Sequence, residues 1–110
     1  MIITANKETR AMAAYLIVQL KLLADRNALA PYRDAVAPCA AKFGGHYIVA
    51  GGVAVETLEG KQHDGRSLVI FEFPSLEAIH AFWSSPDYIA VKKLREGLVE
   101  LDAWAVRGVV

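Results

Sequence analysis

The chain has 110 residues with 12 Lys+Arg against 12 Asp+Glu, so its formal net charge is zero. That balance excludes a general nucleic-acid binder, which needs a basic excess or stripe, and it leaves little charge repulsion against self-association. The AVILMFWYC residues make up 55%, 18 alanines among them, enough for a single domain that buries roughly 65% of its unfolded surface.

Residues 1–13 read as an extension ahead of one domain over 14–110. Lys7 and Arg10 before the apolar run Ala11–Leu20, with Ala28-Leu29-Ala30 beyond, have the outline of a signal peptide. Lys21, Asp25 and Arg26 interrupt it. The expectation is therefore a cytoplasmic protein, with no stretch near the ~20 apolar residues of a membrane span. Cys39 is the only cysteine, so no disulfide forms within the chain.

Leu16, Val18, Leu20 and Leu22 alternate with Tyr15, Ile17, Gln19 and Lys21, which predicts a first strand over Ala14–Leu22. Asp25 caps a helix running to about Phe43. Its buried stripe is Leu29, Tyr32, Val36, Ala40 and Phe43, with a loose first turn or a kink from Pro31 and Pro38. Gly44-Gly45 ends that helix. A second strand is expected over His46–Leu58, with Gly51-Gly52 marking a bulge or a close backbone approach. A third follows over Arg66–Phe73. Ser75 caps a helix over Leu76–Ser84, and Ser85-Pro86 restarts it toward Gly97. Leu101–Val110 is the last strand. The order β-α-β-β-α-β specifies a ferredoxin-like α+β fold, a four-stranded antiparallel sheet with both helices on one face.

That topology leaves one sheet face uncovered. Tyr15, Ile17 and Gln19 of the first strand and Leu68, Ile70 and Glu72 of the third fall on it. A face this apolar calls for a partner, most simply a second copy of the chain around a two-fold axis. A homodimer with facing sheets is expected.

Several motifs run through the chain in order. They are Tyr15-Leu16-Ile17-Val18-Gln19, Tyr32-Arg33 with Val36 and Pro38, Gly44-Gly45, Gly51-Gly52 and Leu58-Glu59-Gly60. Glu72-Phe73-Pro74-Ser75, Ser85-Pro86-Asp87-Tyr88 and Arg95 follow. Together they resemble a bacterial family of uncharacterised small proteins in the dimeric α+β barrel superfamily, over residues 14–110. Two positions depart from it. Ala50 stands where the family usually has an arginine, and Lys61-Gln62-His63 where an aromatic residue is common. The resemblance implies a dimer with a cavity between each sheet and its own helices or at the barrel's centre. Superfamily relatives include cofactor-independent monooxygenases, muconolactone isomerases and haem-degrading proteins.

Glu72 stands near the end of an otherwise apolar strand, where a carboxylate can serve as general base or acid. The structural alternative pairs it with an arginine, Arg33 or Arg95. Arg66 opens the same strand about 20 Å away, too far to pair with Glu72 within one chain, and is either a carboxylate anchor or a solvated strand end. Tyr15 and Gln19 on the open face, and His46 at the start of the second strand, are candidates to hydrogen-bond a ligand there, or else dimer contacts. Phe82, Trp83 and Tyr88 cluster at the helix break as a pocket wall or as core.

His46, His63, His80 and Cys39 lack metal-ligand spacing, and the single Glu77-Ala78-Ile79-His80 lacks the second copy a di-iron site needs. A haem ligand at His80 beside Trp83 has only the resemblance behind it. No metal and no cofactor are expected. Two functions follow: a dimer binding a small apolar or aromatic carboxylate-like molecule, or a cofactor-independent monooxygenase or isomerase with Glu72 as base. A third possibility is a structural module whose open face only dimerises.

Overall fold

The structure of the chain, a computed structural model, describes residues 13–52, 55–61 and 66–109. Four strands form one antiparallel sheet: β1 (Ala14–Leu22), β2 (His46–Ala50), β3 (Ser67–Phe73) and β4 (Val99–Arg107), in the order β2-β3-β1-β4. Helices α1 (Ala30–Ala41), α2 (Leu76–Trp83) and α3 (Pro86–Lys92) connect them, with 3-10 turns at Arg26–Leu29 and Lys93–Arg95. The fold is the ferredoxin-like βαββαβ expected, with β1 and β3 at the centre.

Alternation in β1 and β3 sets the two faces of the sheet. Ala14, Leu16 and Val18 lie beside Phe71 and Phe73 and are buried against Val36, Cys39 and Ala40 of α1. Ile79 and Phe82 of α2 and Tyr88 of α3 complete that core. Its aromatic rings touch in sequence: Tyr47 stacks on Phe71 at 4.3 Å, Phe73 meets Phe82 at 5.4 Å, and Phe82 meets Tyr88 at 4.6 Å. A Cβ at Gly45 would collide with the Phe73 ring, so glycine there lets β2 enter the sheet over the core.

Local chemistry explains each boundary. Asp25 Oδ1 accepts from the Asn27 N–H at 3.1 Å, and the chain makes a 3-10 turn before Pro31 settles α1 into place, the loose start that proline predicts. Ser75 Oγ accepts from the Ala78 N–H at 3.0 Å to cap α2. Ser85 Oγ accepts from the Tyr88 N–H at 3.0 Å and donates to the Phe82 carbonyl at 2.8 Å. A buried serine with both hydrogen-bonding roles filled thus fixes the α2–α3 corner and the start of Tyr88.

Three boundaries differ from expectation. The second strand ends at Ala50, not Leu58, because Gly51 (φ 78°) and Gly52 (φ 72°) take a conformation that turns the backbone out of the ladder. Residues 55–58 are not strand, and 53–54 lie outside the described residues. β2 also carries a register shift between Tyr47 and Val49. The last strand begins earlier, at Val99, and ends at Arg107, where β1 runs out of partners at Ala14. The N-terminal extension, residues 1–12, lies outside the described residues.

No helix among the described residues is long and apolar enough to cross a membrane. The sheet face away from the helices carries Ile17 and Ile70 at its centre and the half-exposed Ile48, Trp104 and Val106 on the edge strands.

Candidate functional site

Beneath α1, on the helix side of the sheet, lies a cavity of about 240 Å³. Val18, Leu20, Val69 and Phe71 form its floor, while Leu29 and Val36 roof it. The roof is helical spacing at work: Leu29, Tyr32, Arg33 and Val36 are three and four residues apart and share one face. Apolar side chains dominate, with Arg26, Arg33, Tyr32, Tyr47 and Ser67 as the polar groups and no acidic residue among the described lining.

The cations have defined seats. Arg26 follows the end of β1, and its guanidinium lies against Gly52, where a Cβ would collide with it. Gly52 thus supplies both the left-handed turn and the space for the arginine. Arg33 sits close enough to Tyr47 to stabilise its phenolate electrostatically, but burial dominates and holds Tyr47 above the ordinary phenol range.

At the other end, a void of about 10 Å³ shares Val18, Tyr32, Val36, Phe71 and Leu101 with the cavity and adds Leu16, Phe82, Trp83 and Tyr88. Tyr32 Oη and Tyr88 Oη stand 3.0 Å apart beside it. Arg95 places its guanidinium 5.8 Å from the Tyr32 ring centroid, and its buried Nε has no hydrogen-bond partner among the described residues. Burial, and then the neighbouring Tyr88, push Tyr32 far above the ordinary phenol range, outweighing Arg95. Tyr32 is a permanent O–H donor at physiological pH.

A domain of unknown function (DUF1330) matches residues 13–109. The chain belongs to this family. No curated protein matches it. Among solved structures, the DUF1330 chain is similar to RPA0582, a protein of unknown function from Rhodopseudomonas palustris. The TM-score is 0.70 and the identity 19%, with 99% of this chain and 92% of that one covered. It is also similar to SnoaB, a cofactor-independent oxygenase from Streptomyces nogalater (TM-score 0.63, 11% identity, 91% and 96% covered). A dimeric ferredoxin-like protein of unknown function from Bacteroides fragilis matches as well (TM-score 0.52, 14% identity, 86% and 95% covered). At these identities the likeness establishes the fold.

The residues singled out from sequence divide between the two faces of the DUF1330 sheet. Glu72 pairs in register with Tyr15 on one side and His46 on the other. The side chain beside it is a histidine, not an arginine: His46 Nε2 stands 3.5 Å from Glu72 Oε1. Arg66 donates to Asp102 Oδ2 at 3.1 Å across the strand bearing Gln19. Tyr15, Gln19, His46, Arg66 and Glu72 therefore form no part of the described lining of the cavity. Trp83 and Tyr88 do border the inner void, their rings 4.9 Å apart. His80 is exposed at the end of α2 and lines neither space, and no group of three or more His, Cys, Asp or Glu could hold a metal among the described residues. His63 lies outside the described residues.

Arg26 and Ser67 carried no sequence signal as site residues. Arg33 carried a partial one: it lies four residues after Leu29 and next to Tyr32 of the buried stripe, though the residue itself is exposed.

Proposed function

We propose that this chain binds a small apolar or aromatic carboxylate-like molecule in the cavity between the sheet and α1, and that it does so as a cytoplasmic homodimer packed through its open sheet faces. One observation carries the ligand reading: a cavity of about 240 Å³ with apolar walls whose described charged lining is two arginines and no acid. An apolar body gains from burial there, and a carboxylate gains charge-assisted, potentially bidentate contacts with guanidinium. Support for the dimer comes from Ile17, Ile70, Ile48, Trp104 and Val106 on the uncovered face, and from the dimeric ferredoxin-like relative in fold.

Calorimetry with a panel of aromatic and aliphatic carboxylates tests the ligand reading. Binding is expected for the wild type and lost in Val69→Phe, which fills the cavity from its floor. Absence of binding across the panel, or full affinity in Val69→Phe, would sink it.

The fold shared with the oxygenase SnoaB supports a second reading, a cofactor-independent monooxygenase or isomerase. Its substrate lies between the two sheets of a dimer, where Glu72, His46 and Tyr15 form a carboxylate-centred polar group and Gln19 lies four residues along the same face. Turnover of a substrate that survives Glu72→Gln unchanged would eliminate Glu72 as its base.

A further inference from the structure

The hydroxyl pair at the inner end of the cavity leaves one O–H without an acceptor on its own line. Two phenols 3.0 Å apart share a single O···O line, so one O–H points along it and the other must point elsewhere. The Tyr32 oxygen also accepts from Arg95, which cannot take the spare O–H in return. Arg95 adds a guanidinium, a donor-only group whose Nε is itself buried and unpaired. A buried donor left unmatched is costly, and the cost is relieved by an acceptor brought from outside.

The geometry says where that acceptor arrives. The void beside the two hydroxyls is of the order of a single water-sized group. It adjoins the cavity, with which it shares five lining residues, Tyr32 among them. Leu16 borders only the void, whereas Leu22 and Arg26 border only the cavity, so the two spaces follow β1 with Arg26 toward one end and the phenol pair toward the other.

We infer that the guest carries a second oxygen opposite its carboxylate, a carbonyl received by the Tyr32–Tyr88 hydroxyl pair, so that the site takes apolar or aromatic oxo-acids in preference to plain hydrophobic acids. The inference rests on the cavity reading proposed above and sharpens it. Arg26 and Arg33 hold the carboxylate, the walls from Val18 to Phe71 hold the body, and one phenolic O–H donates to the carbonyl. Arg95 acts as a positioning residue: its charge behind the Tyr32 ring favours an electron-rich oxygen at the pair.

Two probes of one shape separate this inference from its foundation: an acetylnaphthoate and an isopropylnaphthoate, each with its substituent opposite the carboxylate. The isopropyl compound lacks only the carbonyl oxygen. By calorimetry, the wild type is expected to bind the acetyl compound about ten-fold more tightly, the value of one neutral hydrogen bond. Tyr32→Phe and Tyr88→Phe keep both rings and are expected to bring the ratio near one while leaving the isopropyl affinity in place. With tyrosines labelled at the hydroxyl-bearing carbon, the Tyr32 and Tyr88 NMR signals shift with the acetyl compound and not with the isopropyl one. Equal affinity of the wild type for both probes overturns the inference and leaves the cavity reading standing. So does a preference that survives in both variants. If neither probe binds, the cavity reading fails and the inference falls with it.

Discussion

Gly52→Ala probes the seat of Arg26. Gly52 has φ 72°, a conformation that costs an L-residue about 1–2 kcal/mol, and its added Cβ would displace the Arg26 guanidinium from the cavity mouth. The displaced group is the end of a flexible side chain, so the steric part of the stability loss is small and the backbone part dominates. Gly97 supplies the control. Its φ is 74°, and a Cβ there meets nothing within 4 Å. Urea denaturation should therefore give similar losses of about 1–2 kcal/mol for Gly52→Ala and Gly97→Ala. Carboxylate binding should separate them. Losing one charge-assisted contact, about 1.5–3 kcal/mol, weakens a carboxylate ligand at least ten-fold in Gly52→Ala and leaves Gly97→Ala at wild-type affinity. Equal carboxylate affinity in the two variants would refute the role given to Arg26, and so would an equal weakening for a neutral ligand of the same shape.

Two other outcomes can be measured directly. Light scattering of the wild type at micromolar concentration should give about twice the 12.0 kDa chain mass, and Trp104→Arg with Ile70→Asp should return it to one chain. A wild-type monomer would remove the facing-sheet dimer. Stability should fall as pH rises above the ordinary phenol range: Tyr32 and Tyr47 are held protonated in the fold, so the unfolded chain releases those protons first and is favoured as pH climbs toward the folded values. Burial, followed by Asp87, pushes the Cys39 thiol in the same direction. Ultraviolet titration should show part of the four-tyrosine signal appearing only with unfolding, and Tyr32→Phe should flatten the alkaline loss. Ionisation of all four tyrosines in the intact fold would contradict it.

What the sequence made legible follows from periodicity. The two-residue alternation of β1 located that strand to its ends and assigned Leu16 and Ile17 to opposite faces, because one face had to meet the helices. Serine chemistry placed the α2–α3 corner for a similar reason, since Ser75 and Ser85 act on backbone donors three residues away. The end of β2 was less legible, because a glycine pair is compatible with either a bulge or an exit. Only the positive φ at both glycines decides for the exit. The cavity was least legible. It depends on which side chains leave space between α1 and the sheet, and that is a property of packing across elements distant in sequence. Glu72 drew attention as a carboxylate in an apolar strand. Parity put it on the open face, and only the register revealed His46 as its neighbour.

The proposed pocket and the proposed interface are interleaved on the same two central strands. Val18 and Val69 look into the cavity, and their immediate neighbours Ile17 and Ile70 occupy the opposite side of the sheet. Substitution can therefore retune ligand fit at even steps along β1 and leave the subunit contact untouched at odd ones. An insertion or deletion has no such freedom. Shifting β1 by one residue would turn Ile17 and Gln19 inward and Leu16 and Val18 outward, exchanging the two surfaces at a stroke. Members with this architecture can diversify side chain by side chain, but the lengths of β1 and β3 are locked.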